Sequence, residues 1–359
     1  MTAKAKKTKD IPLPLDASIL DGLPDPVFLV DQAHLIVDCN RAGRRLLGGE
    51  AVGCELAKSL NNNDVITAVE NTLDGNPGTR TEVFIPYPVS HSYELNVWRL
   101  PDLKSKGPAW AMVVLQDITA AKKAEQMRAD FVANVSHELR SPLSSLLGFI
   151  ETLRGPAKDD KKATEKFLAI METEAKRMTR LINDLLALSK VETDEHIRPE
   201  ETLDLGKLLA QITNILSVRA KERGMDINLD LPEPLPPVIG DADELTQVFQ
   251  NLINNAISYG RAKTSVRIVA KAEDSVPGTG AKGLSVAVIN EGEGIPAEDI
   301  PRLTERFYRV DKGRSRSMGG TGLGLAIVKH IVARHRGDLV IESAPGKKTS
   351  FRVHLQRAD

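Results

Sequence analysis

Apolar positions recur at helical spacing over one long middle stretch of the chain and in shorter strand-like runs on either side of it. From about 119 to 155, Phe131, Val135, Leu139, Leu143, Leu146 and Leu147 fall on one stripe, which predicts a long helix. Pro142 lies within it; it lacks an N–H and crowds the preceding turn, which predicts a kink just after residue 137. A second stripe (Phe167, Ile170, Met171, Met178, Leu181, Ile182, Leu185, Leu186, Leu188) predicts a helix from about 160 to 192, and Gly155-Pro156 between the two is a turn signal. Two antiparallel helices bury too little by themselves, so the pattern predicts a homodimer that completes a four-helix bundle. The alternative is a helical hairpin packed against its own chain.

Residues 16–118 read as a small α+β domain. Val27–Val30 and Leu35–Val37 are short strands around the turn Asp31-Gln32-Ala33-His34, and Asn40–Leu47 is a helix that Gly48-Gly49 ends. Glu82–Ile85, Tyr93–Trp98 and Trp110–Leu115 are further strands, with the polar loop Asp102–Pro108 between two of them. Within 200–359, helices Lys207–Arg223, Asp243–Ser258 and Leu323–His335 alternate with strands Asp226–Leu231, Ser265–Ala272, Leu284–Asn290, Asp338–Ser343 and Ser350–His354, the pattern of a layered α/β domain. The expected organisation is multidomain α+β: a disordered basic tail over 1–15, a first domain over 16–118, helical segments over 119–195 and an α/β domain over 200–359.

Composition narrows the function. The chain has 359 residues, 41% apolar and 27% charged, enough for a core in each domain. Its 48 Lys plus Arg against 49 Asp plus Glu leave a net charge of -1, which argues against nucleic acid as a partner. Cys39 and Cys54 fit a reducing, cytoplasmic setting and read as small core residues, with neither a disulfide framework nor metal spacing. His34 and His91 read as surface or core residues. No apolar run is long enough to span a membrane. The tail lysines Lys4, Lys6, Lys7 and Lys9 precede no apolar region, so membrane contact is expected only through a missing or peripheral segment.

Three stretches carry chemistry. Phe131–Leu143 places His137 beside Glu138 on a helix, which suits a nucleophilic imidazole with a carboxylate at hand. The helix from Asp243 carries Asn251, Asn254 and Asn255; Asn251 and Asn255 share a face, and their amide oxygens are hard ligands of the kind Mg²⁺ takes. Two glycine-rich turns follow, Asn290-Glu291-Gly292-Glu293-Gly294-Ile295-Pro296 after a strand and Gly319-Gly320-Thr321-Gly322-Leu323-Gly324-Leu325 opening a helix, where backbone N–H groups can approach phosphates. Between them the basic run Lys312, Arg314 and Arg316 reads as a lid over ATP.

Together these segments resemble the sensor histidine kinases of two-component systems, over about 330 residues and with five motifs in order. The His137 segment resembles the H box of the dimerisation and phosphotransfer domain, and Asp243–Tyr259 the N box. Residues 290–296 resemble the first glycine box, 306–311 the F box and 319–325 the second glycine box. Residues 16–118 resemble a PAS sensor domain, and the C-terminal region a GHKL ATP-binding α/β sandwich; the nearest subfamily is the phosphate-regulon type.

The resemblance implies that His137 attacks the γ-phosphate of ATP, that Glu138 bonds the other ring nitrogen, and that the phosphoryl group passes to an aspartate of a response regulator. It implies Mg²⁺ held by Asn255 with Asn251 close by, and Tyr259 flanking the nucleotide. Further nucleotide contacts are implied at Asn290, Gly292, Gly294 and Ile295, at Phe307, and at Gly320, Thr321, Gly322, Leu323 and Gly324.

Three positions depart from the family. Asn290 stands where an Asp usually accepts from the adenine amino group. Ser258 stands where a Lys is common. Ser141 stands where Thr or Asn commonly positions water for dephosphorylating the regulator, which puts the phosphatase activity in question. Two competing readings are a pseudokinase scaffold, favoured by Asn290 and Ser258, and a GHKL ATPase of the chaperone or mismatch-repair type, which leaves the His137 helix unexplained. An Asn carbonyl lacks the charge assistance of a carboxylate, so Asn290→Asp is expected to bind ATP more tightly than the native chain in titration calorimetry; equal or weaker binding counts against this.

Overall fold

The computed structural model describes residues 17–49, 51–76, 78–86, 90–100, 110–232, 234–311 and 320–358. The basic tail over 1–15, the loop Asp102–Pro108, the basic run Lys312, Arg314 and Arg316, and Gly319 lie outside them. The chain divides into two compact units, Met1–Asp130 and Phe131–Asp359.

In the first unit, β1 (Val27–Val30), β2 (Ile36–Cys39), β3 (Thr79–Ile85), β4 (His91–Leu100) and β5 (Trp110–Asp117) form a sheet in the order β2-β1-β5-β4-β3, antiparallel throughout. The helices are α1 (Ala17–Asp21), α2 (Arg41–Leu47), α3 (Leu56–Leu60) and α4 (Asn63–Leu73). Alternation sends Phe28, Val30, Leu95, Val97, Val113 and Leu115 to one face, where Val65, Ala68 and Val69 of α4 cover them. Val27, Leu29 and Trp110 point to the other face with Leu20. Asn40 caps α2: its Oδ1 accepts from Gly43 N–H (2.8 Å) and from Val27 N–H (3.0 Å), while its Nδ2 donates to the Leu23 and Asp25 carbonyls. Both tryptophans of the chain, Trp98 and Trp110, belong to this unit.

Sequence and structure differ in this unit at Cys54 and in the helices. Cys39 is buried as expected, but Cys54 is exposed, because it follows the left-handed Gly53 in a turn and belongs to neither face of the sheet. Helices α1, α3 and α4 form where the sequence analysis places no element. Neither His34 nor His91 joins a metal-binding group, and no cluster of three candidate ligands occurs among the described residues. His34 sits 3.9 Å from Glu70, and His91 Nδ1 lies 2.9 Å from an Asp117 carboxylate oxygen.

The helical stripes form as read. Helix α5 (Thr119–Arg154) continues through Pro142, whose ring is buried, and α6 (Lys161–Asp194) starts at the Asp160 cap, whose carboxylate accepts from Ala163 N–H. Phe149 stacks on Phe167 with centroids 5.1 Å apart, and Glu138 pairs with Arg177 across the hairpin. Much of the apolar stripe stays exposed: Val132, Leu143, Leu147, Ile150, Leu168, Ile182 and Leu186 are uncovered in the single chain. No described helix is long and apolar enough to cross a membrane.

In the rest of this unit, β7 (Asp226–Asp230), β9 (Ser265–Glu273), β10 (Gly283–Glu291), β11 (Asp338–Glu342) and β12 (Lys348–Gln356) form a sheet ordered β11-β12-β10-β9-β7, with β7–β9 parallel and the other pairs antiparallel. A small ribbon pairs β6 (Thr202–Leu203) with β8 (Val238–Ile239). Helices α7 (Leu205–Glu222), α8 (Ala242–Tyr259) and α9 (Gly324–Arg334) complete the sandwich. Leu245, Val248, Phe249, Leu252 and Ile253 of α8 are all fully buried against Val286 and Val288 of β10 and Ile327 and Ile331 of α9. The C-terminal half of α6 joins the same core through Leu181, Leu188 and Val191.

The N-terminus of α8 is set by a buried histidine. Asp241 Oδ1 accepts from Glu244 N–H (3.0 Å) as the helix cap, and the Asp241 N–H donates to His335 Nε2 (3.0 Å). His335 Nδ1 lies 2.8 Å from the Ile331 carbonyl and donates to it, so the ring is held in its neutral form. Burial lowers the His335 pKa below its ordinary 6.5. A base lowered in the folded state loses stability as pH falls through the unfolded value. The melting temperature of the Phe131–Asp359 transition in calorimetry is therefore expected to fall from pH 7 to pH 5, and the fall should be smaller for His335→Gln; an unchanged slope in the variant would assign the acid sensitivity elsewhere.

Candidate functional site

One cavity of about 360 Å³ opens where α8, β10, β12 and the start of α9 meet, with α6 along one side. Because the apolar stripe of α8 is committed to the core, Asn251, Asn254 and Asn255 fall on its other side and line the cavity with Tyr259. Asn255 makes no side-chain hydrogen bond among the described residues. Asn251 Nδ2 reaches the Gly324 carbonyl at 3.4 Å, tying α8 to the first turn of α9.

That first turn is open to a ligand. Leu323 occupies the cap position of α9 with no side-chain cap, so the leading N–H groups of an 11-residue helix lack a side-chain acceptor. Gly320, Thr321, Gly322 and Gly324 line the cavity beside it. Gly322 has φ +76°, and a Cβ there would lie 2.9 Å from Phe307 Cα, so both the turn and the approach require glycine. The same contact carries a hydrogen bond from Phe307 N–H to the Gly322 carbonyl (2.8 Å). At the other end, Gly294 has φ +74° and faces the Ala344 carbonyl too closely for any side chain.

The end formed by the strands is polar and buried. Asn290 on β10 pairs with Thr349 on β12, and both are 4% exposed. Thr349 Oγ1 lies 2.7 Å from Ser343 Oγ, which in turn accepts from Ile295 N–H (3.0 Å). Gly292, Gly294 and Ile295 complete this end.

Eleven of the thirteen expected nucleotide contacts thus line one cavity; the other two do not. Leu323 is fully buried in the core, and Phe307 packs on Phe131 with centroids 5.9 Å apart. Their side chains anchor the flanking loops to the core. His137 is exposed on α5 and is not part of the wall. Glu138 pairs with Arg177 of α6; adjacent residues on a helix point about 100° apart, and this carboxylate turns toward α6. Ser141 is exposed, one turn beyond His137, and its carbonyl accepts from Ser145 Oγ (3.2 Å).

Sequence reasoning missed Arg180, Asp184 and Arg219, which come from α6 and α7. Arg219 Nη1 donates to Asn254 Oδ1 (2.5 Å), and Thr321 Oγ1 donates to Asp184 Oδ2 (2.6 Å). Burial pushes the Asp184 carboxyl up from the ordinary carboxylate range, against the opposing pull of Thr321 and Arg180. Around this contact α6 grips the sandwich: Arg306 pairs with Glu192 (2.6 Å), His330 Nδ1 lies 3.0 Å from Glu195, and Arg334 Nε donates to the Ile197 carbonyl (2.9 Å). The Arg306 guanidinium also stacks 5.3 Å from the Phe131 ring.

An α/β sandwich with glycine loops at an uncapped helix start is thus joined, in one compact unit, to a hairpin bearing an exposed histidine. Comparison with known families gives the same picture. Residues 240–359 match the histidine kinase-, DNA gyrase B-, and HSP90-like ATPase family, 127–194 the His Kinase A (phospho-acceptor) domain, and 17–77 a PAS domain. The chain belongs to the sensor histidine kinases. It is 40% identical over 247 residues to the phosphate regulon sensor protein PhoR of Pseudomonas aeruginosa, covering 69% of this chain and 54% of that protein. It is 38% identical over 244 residues to the sensor protein kinase WalK of Staphylococcus aureus, covering 68% of this chain and 57% of that protein. The chain therefore spans little more than half the length of either relative. The histidine kinase ThkA, solved in complex with response regulator protein TrrA, shares the fold over 96% of this chain and 99% of that one, with a TM-score of 0.51 and 19% identity.

A carboxylate at the cavity edge opposes phosphate by about 1 kcal/mol at an exposed separation of a few ångströms. Asp184→Asn, which keeps an acceptor for Thr321, is expected to tighten ATP about fivefold at pH 8, since 1 kcal/mol is close to that factor. The gain should shrink as pH falls and the native carboxyl takes up its proton. Weaker binding by the variant in calorimetry would contradict this role.

Proposed function

We propose that this chain is an ATP-dependent protein histidine kinase in which His137 accepts the γ-phosphoryl group of ATP and passes it to an aspartate of a response regulator. The observation that carries the reading is the convergence of Asn251, Asn255, both glycine loops and the uncapped start of α9 on one cavity, in the same compact unit as an exposed histidine. In this reading Asn290, Gly292, Gly294, Ile295 and Tyr259 surround the base, and the N–H groups near Gly320, Thr321, Gly322 and Gly324 hold the phosphates.

The residues present fit Mg²⁺. The cavity supplies amide oxygens but no cluster of acidic or imidazole ligands among the described residues, which suits a hard cation bound mainly through phosphates and water. Asn255, with Asn251 beside it, would hold that cation, which neutralises phosphate charge when bound. The chain's own work is then positioning and charge neutralisation, the main requirements of phosphoryl transfer. As a new N–P bond forms at His137, the P–O bond to ADP breaks.

His137 and the cavity must come together for this. Asp184 on the cavity wall lies seven residues along α6 from Arg177, about 10 Å at 1.5 Å per residue, and Arg177 is paired with the neighbour of His137. Transfer therefore requires the sandwich to shift along the hairpin, releasing Thr321 from Asp184. Glu138, held by Arg177, keeps a carboxylate beside the reacting imidazole. Ser141 supplies a hydroxyl one turn away for orienting water against a phosphorylated regulator.

The uncovered stripe of Val132, Leu143, Leu147, Ile150, Leu168, Ile182 and Leu186 supports a homodimer closed into a four-helix bundle. The domain limits proposed are 16–118, 119–195 and 200–359. Incubation with γ-labelled ATP and Mg²⁺ tests the reading: acid-labile, alkali-stable label is expected on the native chain and is to be absent from His137→Ala. Label that persists in the variant, or ATP binding without labelling, would reject it in favour of another acceptor or a scaffold.

A further inference from the structure

The strand end of the cavity holds an unusual pair of polar groups. Asn290 is 4% exposed and shares a face of β10 with the fully buried Val286 and Val288, so its carboxamide lies at the inner end of the cavity. Among the described residues no group hydrogen-bonds that side chain. The carboxamide instead meets the cavity space, where a ligand can supply its partners. Its neighbour across the ladder, Thr349, is equally buried, and its hydroxyl meets only the Ser343 hydroxyl, in a contact where either oxygen can donate.

These groups share one property: neither is committed to donating or accepting. A carboxamide offers one acceptor oxygen and two donor hydrogens, and a rotation of its terminal torsion exchanges them. The Ser343–Thr349 pair reverses by turning two hydroxyl hydrogens. A carboxylate at the same position would only accept. It would bond the amino group at C6 of adenine and face the C6 carbonyl of hypoxanthine or guanine with two acceptors opposed.

We propose that this cavity takes 6-oxopurine nucleoside triphosphates as well as ATP, with Asn290 as the residue that sets base selectivity. The proposal rests on the reading of the cavity as a nucleoside triphosphate site. With ATP, the Asn290 oxygen accepts from the 6-amino group and its N–H meets the adjacent ring nitrogen. With a 6-oxopurine, the amide turns over, its N–H donating to the C6 carbonyl and its oxygen accepting from the ring N–H. The hydroxyl pair follows in each case. A bidentate amide contact of this kind discriminates bases by its pairing pattern, and a reversible amide loses that discrimination.

Titration calorimetry of the full chain with ATP and with ITP tests this, since ITP carries the 6-oxo group on an otherwise matching purine. ITP is expected to bind within about tenfold of ATP. In Asn290→Asp, ATP should tighten and ITP weaken, opening the ratio to about 100-fold or more, the range a bidentate base contact supplies. ITP binding more than about 100-fold weaker than ATP on the native chain, or a ratio unchanged by the substitution, would overturn the proposal while leaving ATP binding intact. Failure of ATP itself to bind would instead reject the triphosphate site and the proposal with it. The ratio on the native chain decides the matter even if the variant does not fold.

Discussion

The Phe131–Asp359 unit depends on the burial of one side of α8. Five fully buried side chains, Leu245, Val248, Phe249, Leu252 and Ile253, hold that helix against β10 and α9, and at roughly 1.5–3 kcal/mol each they outweigh any local preference of the asparagines among them. The helical period then leaves Asn251, Asn254 and Asn255 nowhere to go except the cavity. Asp241 and His335 set where the helix begins, and the Asn251 contact with Gly324 ties it to the loop that leads into α9. The position of the polar side chains is thus a by-product of apolar packing.

The hairpin uses the same core differently. Leu181, Leu188 and Val191 attach α6 to the sandwich, and the pairs of Glu192 and Glu195 with Arg306 and His330 surround that attachment. These ion pairs are half-buried, so each contributes little alone. The carboxylate of Asp184 is the exception, because it is drawn into the cavity wall at a desolvation cost and touches the phosphate-side loop directly. The sandwich is therefore held to α6 by an apolar seam with a light polar fringe around it.

Much of this was legible along the chain because it is local. The α/β alternation after residue 200, the two helical stripes and the glycine loops each lie within a single element or turn, and they appear within a residue or two of where periodicity puts them. What stayed hidden is non-local or short. Arg180, Asp184 and Arg219 join the cavity only because α6 and α7 pack beside it, and no spacing in sequence announces that. Phe307 and Leu323 sit inside the F box and the second glycine box, yet their side chains serve the core, which letters alone do not separate from a ligand contact. Helix α4 did carry a signal: Asn62, whose side chain accepts from Asp64 and Val65 N–H, precedes Val65, Ala68, Val69 and Thr72 at helical spacing. Cys54 was misjudged because a small thiol in a turn looks like a small thiol in a strand.

The placement of the two tryptophans has an optical consequence. Both belong to the N-terminal unit, Trp110 at 8% exposure and Trp98 at 43%. Indole emission from this chain therefore originates wholly in that unit, with one fluorophore shielded and one open to collisional quenchers. The sandwich and hairpin are dark at those wavelengths. Steady-state quenching thus reports on the N-terminal unit apart from the rest of the molecule without any label.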